Sequence, residues 1–323
     1  MAGKKAFEQQ IAALDAIRRG NEQERLDALR KALGNRNNFI VAKAAELGRE
    51  FNLTQLTDEL LLAFDRFFEN PEKTDPQCWA KNAVARALSA FEYQGAQVFL
   101  RGMRHVQLEP VWGGKSDTAG TLRSICALAL VQCRSVVESD LLAHLVDLMP
   151  DKDNAVRLEV VRAIEQVSSP AASLLLRLRA ALGADEPEVL GACYGGILRM
   201  EGVRAIPWVA QFLKSADDNA GEAALAISGT HSREGFSALR ECFAQAKDPW
   251  WRSVLLSAMA LSRQDAAMIF LLDLVRTESL DAEGAIEAIL RSGPSNDIVK
   301  TLEKVVANNS RLAKFFTASR ASQ

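Results

Sequence analysis

The sequence is poor in the residues on which metal and catalytic sites most often depend. Its three histidines, His105, His144 and His231, are isolated from one another, so no metal-ligand cluster is visible. No Ser-His-Asp arrangement, nucleophile elbow or pair of catalytic carboxylates can be identified either. We therefore predict no enzyme activity, no metal ion and no cofactor.

The five cysteines include no CxxC pair, and their number is odd. Cys126 and Cys133 are seven residues apart, which on a helix separates them by about 10 Å along the axis. A disulfide needs Cα atoms within ~7 Å, so this pair cannot form one. The sequence predicts buried, reduced thiols.

Long apolar runs and an excess of one charge are also missing. The longest apolar run, at 124–132, is about half of the ~18 residues that a membrane-spanning helix needs. Glu8, Gln9 and Gln10 interrupt the N-terminal stretch where a signal peptide is apolar. With 39 basic and 41 acidic residues the net charge is −2, which disfavours a dedicated nucleic-acid binder. We expect a cytoplasmic protein without a membrane partner.

A helix-start pattern recurs along most of the chain. Asp153 can cap a helix in which Val156, Val160 and Ile164 recur at helical spacing on one face. Similar starts return, and the first-turn residues of the eight helices are Ile40, Cys78, Gly120, Val156, Val189, Gly221, Trp251 and Gly284. Their steps of 38, 42, 36, 33, 32, 30 and 33 residues give a period that is typical of a solenoid.

The helices with this start pattern are rich in Ala and Gly. A second set of helices, rich in Leu and Phe, lies between them. Small residues let helices approach closely, so we predict that the acid-capped helix is the second and interior member of each pair. Pro76, Pro187 and Pro249 fall at helix starts, where a missing N–H costs nothing. The pattern predicts an all-α chain.

This pattern resembles the HEAT-repeat family in its short bacterial form. The stretches 151–164 and 248–260 match the family motif best, whereas the units that begin at Asp217 and Asp281 depart from it at the basic position. The resemblance implies a right-handed α-solenoid, an armadillo-like superhelix, of about eight to nine helix pairs. It also implies that second helices line the concave side.

We expect one solenoid over residues 1–323. An amphipathic stretch within residues 1–20, with Phe7, Ile11, Leu14 and Ile17 on one stripe, is predicted to cap its N-terminal end. Residues 295–323 are predicted to form the C-terminal cap, with a frayed tail from residue 317 onward.

The connection at 105–116 is the one clear irregularity in the repeat pattern. Trp112 lies at its tip beside two glycines, and Lys115 follows. Two interpretations stay open: the loop touches a ligand, or Trp112 packs back onto a neighbouring repeat. A phosphate-binding P-loop is excluded, because Glu109 stands where that motif requires glycine.

Four other residues are candidate binding residues, each with a structural alternative. Lys81 and Arg123 belong to second helices and could form a groove for an anionic partner, or could lie on a solvated face. Trp250 could stack on a base or anchor a peptide, or could shield a joint between repeats. Arg252 could bind an anion, or could bridge adjacent repeats as part of a structural ladder.

The favoured function is a non-enzymatic scaffold that binds a protein partner on the concave surface. The alternative is a DNA-binding protein, because one HEAT-like family comprises the bacterial alkylpurine DNA glycosylases. In that resemblance the counterparts of the glycosylase tryptophans, aspartate and basic residues are Trp79, Trp112, Asp117, Lys81 and Arg123. A more remote resemblance is to lyase-like or chaperone subunits with phycobilisome-type HEAT repeats.

Overall fold

A computed structural model describes residues 2–321 of the chain. The helices are α1 (Ala2–Ala16), α2 (Glu22–Leu33), α3 (Asn38–Glu50), α4 (Thr57–Arg66), α5 (Pro71–Thr74), α6 (Trp79–Ala90), α7 (Ala96–Met103), α8 (Gly120–Val131), α9 (Glu138–Val146), α10 (Asn154–Val167), α11 (Pro170–Leu182), α12 (Pro187–Glu201), α13 (Ile206–Ala210), α14 (Asp218–Ser228), α15 (Arg233–Gln245), α16 (Pro249–Leu261), α17 (Asp265–Arg276), α18 (Ala282–Arg291), α19 (Asn296–Val306) and α20 (Ser310–Ala321). Two short strands, β1 (Leu108–Val111) and β2 (Gly114–Asp117), are the only sheet within the described residues. The predicted all-α class is confirmed.

The predicted helix starts agree with the structure. Seven of the eight first-turn residues lie inside α3, α8, α10, α12, α14, α16 and α18, and Cys78 directly precedes α6. Asp217 accepts from the Ala220 amide at 2.9 Å, and Asp248 accepts from the Trp251 amide at 2.9 Å. These caps satisfy N–H groups that have no partner inside the helix, which explains why the helices begin there.

The helices form two compact units that divide between Val167 and Ser168. In the N-terminal unit, α2 packs on α3, α4 on α6, α7 on α8, and α9 on α10. The second members of these pairs, α3, α6, α8 and α10, also pack on one another in that order.

The C-terminal unit repeats the same arrangement. Here α11 packs on α12, α13 on α14, α15 on α16, α17 on α18, and α19 on α20. The second members, α12, α14, α16, α18 and α20, again contact one another in order. In both units the second helices therefore provide most of the contacts between successive pairs.

Small side chains make these contacts possible. Ala44 and Ala45 of α3 and Ala83 and Ala87 of α6 are buried, and these two helices pack on each other. Small buried side chains let the backbones of two helices approach closely. This explains why the second helices are rich in alanine and glycine.

Helices lie at both ends of the described part of the chain. At the N-terminal end α1 packs on α3, and Leu14 of its apolar stripe is buried. At the C-terminal end Leu312 and Phe316 are buried as predicted. Within the described residues α20 continues to Ala321. Arg320 forms an exposed ion pair with Glu303, and residues 322–323 lie outside the described residues.

The cysteines are free thiols, as predicted, and four of the five are buried. Burial raises the pKa of Cys193 to about 12, so its thiol stays protonated at neutral pH. Within residues 2–321 no helix combines the length and the apolar character that crossing a membrane requires.

Glu222 of α14 is a half-buried carboxylate that lies against Gly191 of α12. Burial and the neighbouring charge of Glu188 raise the pKa of Glu222. A raised pKa means that the folded state binds the proton more tightly than the unfolded state. The stability of the chain therefore falls as the pH rises from the unfolded to the folded pKa of this group.

We predict that Glu222→Gln stabilises the protein at neutral pH by about 0.5 kcal/mol, a value reduced for solvent screening. The gain should vanish below the pKa of the unfolded glutamate, where the wild-type carboxyl is already neutral. Urea unfolding at several pH values measures it. Glu241→Gln, at an exposed position on α15, is the matched control. An equal gain in both variants, or a gain at every pH, would contradict the assignment.

Candidate functional site

The connection predicted as a loop at 105–116 is a β-hairpin over much of its length. β1 pairs antiparallel with β2, and Trp112 and Gly113 form the two-residue turn between them. Gly113 has a φ of +90°, a conformation that costs a glycine little and strains other residues. The turn fixes the register of the two strands because a two-residue connection allows only one pairing of the residues that flank it.

The carboxylate of Glu109 joins the hairpin to the segment that precedes α6. Its Oε1 accepts hydrogen bonds from the Gln77 amide at 2.6 Å, from Gln107 Nε2 at 2.6 Å and from Thr118 Oγ1 at 2.8 Å. Burial opposes the charge, but these three donors outweigh it and lower the pKa of Glu109. The hairpin is therefore held by a carboxylate that stays ionised at neutral pH.

Arg123 of α8 closes the base of the hairpin. Its guanidinium lies 2.7 Å from Asp117 Oδ2 and 2.7 Å from Asp151 Oδ2, and it donates to the His105 carbonyl at 3.0 Å. Burial opposes the charge of Asp117, but hydrogen bonds from the Gln107 and Ala119 amides and from Arg123 lower its pKa. Arg123 is almost completely buried, so neither predicted role, a groove residue or a solvated one, is correct.

Lys81 of α6 is also buried, and this corrects its placement in an accessible groove. Lys81 and Asp75 both have 0% of their side chains exposed, and Lys81 Nζ lies 3.0 Å from Asp75 Oδ2. Lys81 Nζ also donates to the Phe67 carbonyl at 3.1 Å. Asp75 in turn accepts from the Ala80 amide at 2.8 Å and from Asn38 Nδ2 at 3.1 Å. The pair is enclosed by protein.

Two consecutive residues before α6 have left-handed backbone conformations. Gln77 has a φ of 57° and Cys78 a φ of 55°, and neither is glycine. Such residues cost about 1–3 kcal/mol each and persist only where their surroundings hold them. This turn lets Asp75 cap α6 and directs the Gln77 amide at Glu109.

We call the polar side chains that meet around Gln107 the polar cluster; they are Asp75, Cys78, Lys81, His105, Gln107, Glu109, Asp117 and Arg123. Within the polar cluster, Cys78 and His105 are uncharged at neutral pH. The Cys78 thiol donates to Gln107 Oε1 at 3.3 Å, and burial raises its pKa to about 12. His105 Nε2 lies 3.0 Å from the same oxygen, and burial lowers its pKa. The thiol is therefore protonated and the imidazole neutral.

Several apolar side chains on the hairpin and at the start of α6 are exposed. Trp112 at the hairpin tip is fully exposed, so it does not pack back onto a neighbouring repeat. Leu108 and Val111 of β1 are about half exposed. Trp79 and Phe39 are also half exposed, with ring centroids 5.1 Å apart, and Trp79 Nε1 donates to Gln77 Oε1 at 3.2 Å. We call Phe39 and Trp79 the aromatic pair.

The remaining predicted binding residues are Lys115, Trp250 and Arg252. Lys115 is exposed on β2. Trp250 and Arg252 belong to the C-terminal unit, where Trp250 is half exposed. Arg252 contacts Asp281 at 2.8 and 2.6 Å, which joins α16 to the start of α18 and supports the structural ladder.

Sequence reasoning missed the residues that organise the polar cluster. Nothing in the sequence marks Gln107, and Asp75 matches only the acidic helix-start pattern. Glu109 was noted only because it breaks a P-loop motif. The sequence signal for the hairpin is the pair Gly113-Gly114, because adjacent glycines are typical of a tight hairpin turn.

Among residues 2–321, no three His, Cys, Asp or Glu side chains are grouped so that they could hold a metal ion. No protein-family model matches the chain, and no curated protein matches it. The function has to be inferred from the hairpin, the polar cluster and the aromatic pair themselves.

Proposed function

We propose that this chain is a HEAT-like scaffold that binds a protein partner and has no catalytic activity of its own. The proposal includes a single right-handed α-solenoid over residues 1–323, located in the cytoplasm. The nine helix pairs, four in the N-terminal unit and five in the C-terminal unit, support it. So does the repeat period in the sequence.

The observation that carries the proposal is a fully exposed tryptophan on a firmly held hairpin. Trp112 is fully exposed, while Glu109 and Asp117 hold the base of the hairpin through several hydrogen bonds. Tryptophan is enriched among the few residues that dominate binding energy in protein interfaces. A side chain that is presented on a preorganised turn loses less conformational entropy on binding.

The polar groups beneath the hairpin support binding rather than catalysis. A general acid or base exchanges protons near the working pH and must reach the substrate. Lys81 is enclosed with Asp75, and Arg123 is shared between Asp117 and Asp151. These groups act on one another, and their combined effect is to hold the hairpin in place.

The charges of the hairpin indicate the chemistry of the partner. Glu109 is occupied by three donors and Asp117 by Arg123, whereas Lys115 is exposed beside the turn. The charge that the hairpin presents to a partner is therefore the positive charge of Lys115. A protein surface with an apolar pocket for Trp112 and an acidic rim for Lys115 fits this arrangement.

Affinity capture with the tagged full chain tests the proposal. We expect Trp112→Ala and Trp79→Ala each to weaken retention of the same partner by about 30-fold, because a hot-spot tryptophan contributes about 2 kcal/mol or more. Trp250→Ala, which removes a half-exposed tryptophan from the C-terminal unit, is the matched control. If all three variants retain the partner equally, the hairpin and the aromatic pair are not the binding surface.

The alternative, binding to DNA in the manner of the HEAT-like glycosylases, draws support from Trp112 and Lys115 at the hairpin tip. An exposed aromatic residue beside a cation is a combination that stacks on bases and contacts phosphates. Fluorescence anisotropy of a labelled duplex at low and physiological salt separates the two functions. We expect no binding, whereas binding that weakens steeply with salt would replace the protein partner by DNA.

A further inference from the structure

The C-terminal unit contains a small cavity that is lined by the end of α11, by α12 and by the start of α14. Its volume is about 250 Å³. Leu190 and Phe212 are apolar parts of its wall, and Tyr194, Asp217 and Asn219 bring polar groups to it. Cavities that hold drug-sized molecules have about 300–1,000 Å³, so this one has the size for a smaller organic ligand or a single side chain.

Tyr194 of α12 carries a hydroxyl group without a partner. The residue is 1% exposed, and its ring packs on Phe212 with the centroids 4.9 Å apart. Among residues 2–321 no group forms a hydrogen bond with Tyr194 Oη. Asn219 Oδ1, in the wall of the same cavity, is also buried without a partner. Because buried polar groups are nearly always hydrogen-bonded, these two groups have unused capacity that a ligand can satisfy.

The side chains around the cavity favour a cation. Asp217 is the only charged residue among those that line it. Its Oδ1 accepts from neutral donors, the Ala220 amide at 2.9 Å and the Ser215 hydroxyl at 2.8 Å, and no Lys or Arg in the described part of the chain pairs with it. The Ala220 amide lowers the pKa of Asp217, and the Ser215 hydroxyl adds to this effect against the opposing effect of burial. Asp217 is therefore ionised at neutral pH, and its negative charge has no counter-charge.

Two helix ends at the cavity do not change the sign of this charge. The start of α14, which Asp217 caps, carries about half a positive charge. The end of α11 carries about half a negative charge, and Ala180, Ala181 and Gly183 from this end line the cavity. Between residues 2 and 321 no group donates a hydrogen bond to the carbonyls of Ala180 and Ala181. The two helix ends therefore offset each other, and the charge of Asp217 remains.

We propose that this cavity binds a primary alkylammonium ion. The ammonium group supplies three N–H donors and one positive charge. These match the free Tyr194 hydroxyl, the carbonyls at the end of α11 and the charge of Asp217, and hydrogen bonds to a charged donor are the strong ones. A short alkyl chain fits against Leu190 and Phe212. The inference goes beyond the proposed function, because the hairpin contributes no residue to the cavity.

Saturation-transfer NMR of the full chain, titrated with n-butylammonium, tests the proposal. We expect a dissociation constant on the order of 1 mM, because so small a ligand has few atoms with which to bind. n-Butanol has the same alkyl chain without the charge, and butyrate has the opposite charge. Both should bind at least about tenfold more weakly than n-butylammonium, because neither offers a positive charge to Asp217.

Two conservative variants test the named residues. Asp217→Asn removes the charge but keeps the helix cap, since asparagine caps a helix as well as aspartate does. Tyr194→Phe removes only the unpartnered hydroxyl. Each variant should weaken binding of n-butylammonium by about tenfold. Asp248→Asn, at the equivalent cap of α16, and Tyr93→Phe, at the other tyrosine, are the matched controls that should not change binding. Circular dichroism checks the fold of each variant.

Three results would overturn the proposal. They are absence of binding up to about 20 mM n-butylammonium, equally tight binding of n-butanol or butyrate, and binding that is unchanged in both Asp217→Asn and Tyr194→Phe. Trp112→Ala should leave n-butylammonium binding unchanged, so loss of the protein partner and loss of the ammonium ligand are separate outcomes.

A lysine derivative with both backbone ends capped distinguishes two sources of the ammonium group. If it binds as tightly as n-butylammonium, the cavity accepts a lysine side chain of another polypeptide. If it binds at least about tenfold more weakly, the backbone of the lysine does not fit and the ligand is a free amine.

Discussion

Asp75→Asn is expected to destabilise the chain by about 3–5 kcal/mol, because it leaves the ammonium of Lys81 buried without a counter-charge. Both side chains are fully buried, and the Asp75 carboxylate also accepts the amides that begin α6. An asparagine oxygen can replace one of these acceptors but not the charge. Urea unfolding at neutral pH, followed by far-UV circular dichroism, measures the loss.

The double variant Asp75→Asn/Lys81→Met provides the control for this prediction. It removes both charges and should recover most of the lost stability, since a buried ion pair can often be replaced by apolar groups. Asp65→Asn breaks an exposed ion pair with Arg101 and should cost no more than about 1 kcal/mol. If Asp75→Asn costs as little as Asp65→Asn, Lys81 has another compensating partner.

Gly102→Ala is expected to destabilise the N-terminal unit by about 1–3 kcal/mol, although alanine is the better helix former. Gly102 is buried in α7, and a Cβ there would overlap the sulfur of Cys126 in α8. The two helices would have to separate, or Cys126 would have to leave its rotamer. Thermal and urea unfolding measure the effect.

A double-mutant cycle identifies Cys126 as the cause. In a Cys126→Ala background, Gly102→Ala should be neutral or stabilising, because the clash is gone and the helix propensity remains. Gly221→Ala is the matched glycine in α14, where an added Cβ meets nothing closer than 3.9 Å, and it should stabilise the chain by up to about 1 kcal/mol. Equal losses for Gly102→Ala in both backgrounds would rule out the clash.

The helices were predictable because the signals that start and orient them are local. Asp217 and Asp248 cap helices through amides three residues away, a contact that depends on chain spacing alone. Trp251 is buried beside the half-exposed Trp250, as are the first-turn residues Val156 and Val189 with which it aligns. Helical periodicity therefore determines which face is buried, even without knowledge of the neighbouring helices.

The polar cluster could not be predicted in the same way. In the sequence, nothing distinguishes Lys81 from other basic residues on helices. In the structure, the left-handed turn at Gln77 and Cys78 places Asp75 at the start of α6, where it pairs with Lys81. No local rule places two consecutive non-glycine residues in that conformation, because the surrounding structure has to stabilise it. Arg123 likewise finds Asp151, which lies 28 residues further along the chain.

The sequence by itself determined the all-α class, the positions of the paired helices and the faces that they bury. Tertiary structure alone decided which charges neutralise one another and which apolar side chains remain exposed. Caps and periodicity act over a few residues, so they can be read along the chain. Burial of a side chain depends on every group packed around it. The packing of the helix pairs therefore decides that Lys81 is buried and that Trp112 is exposed.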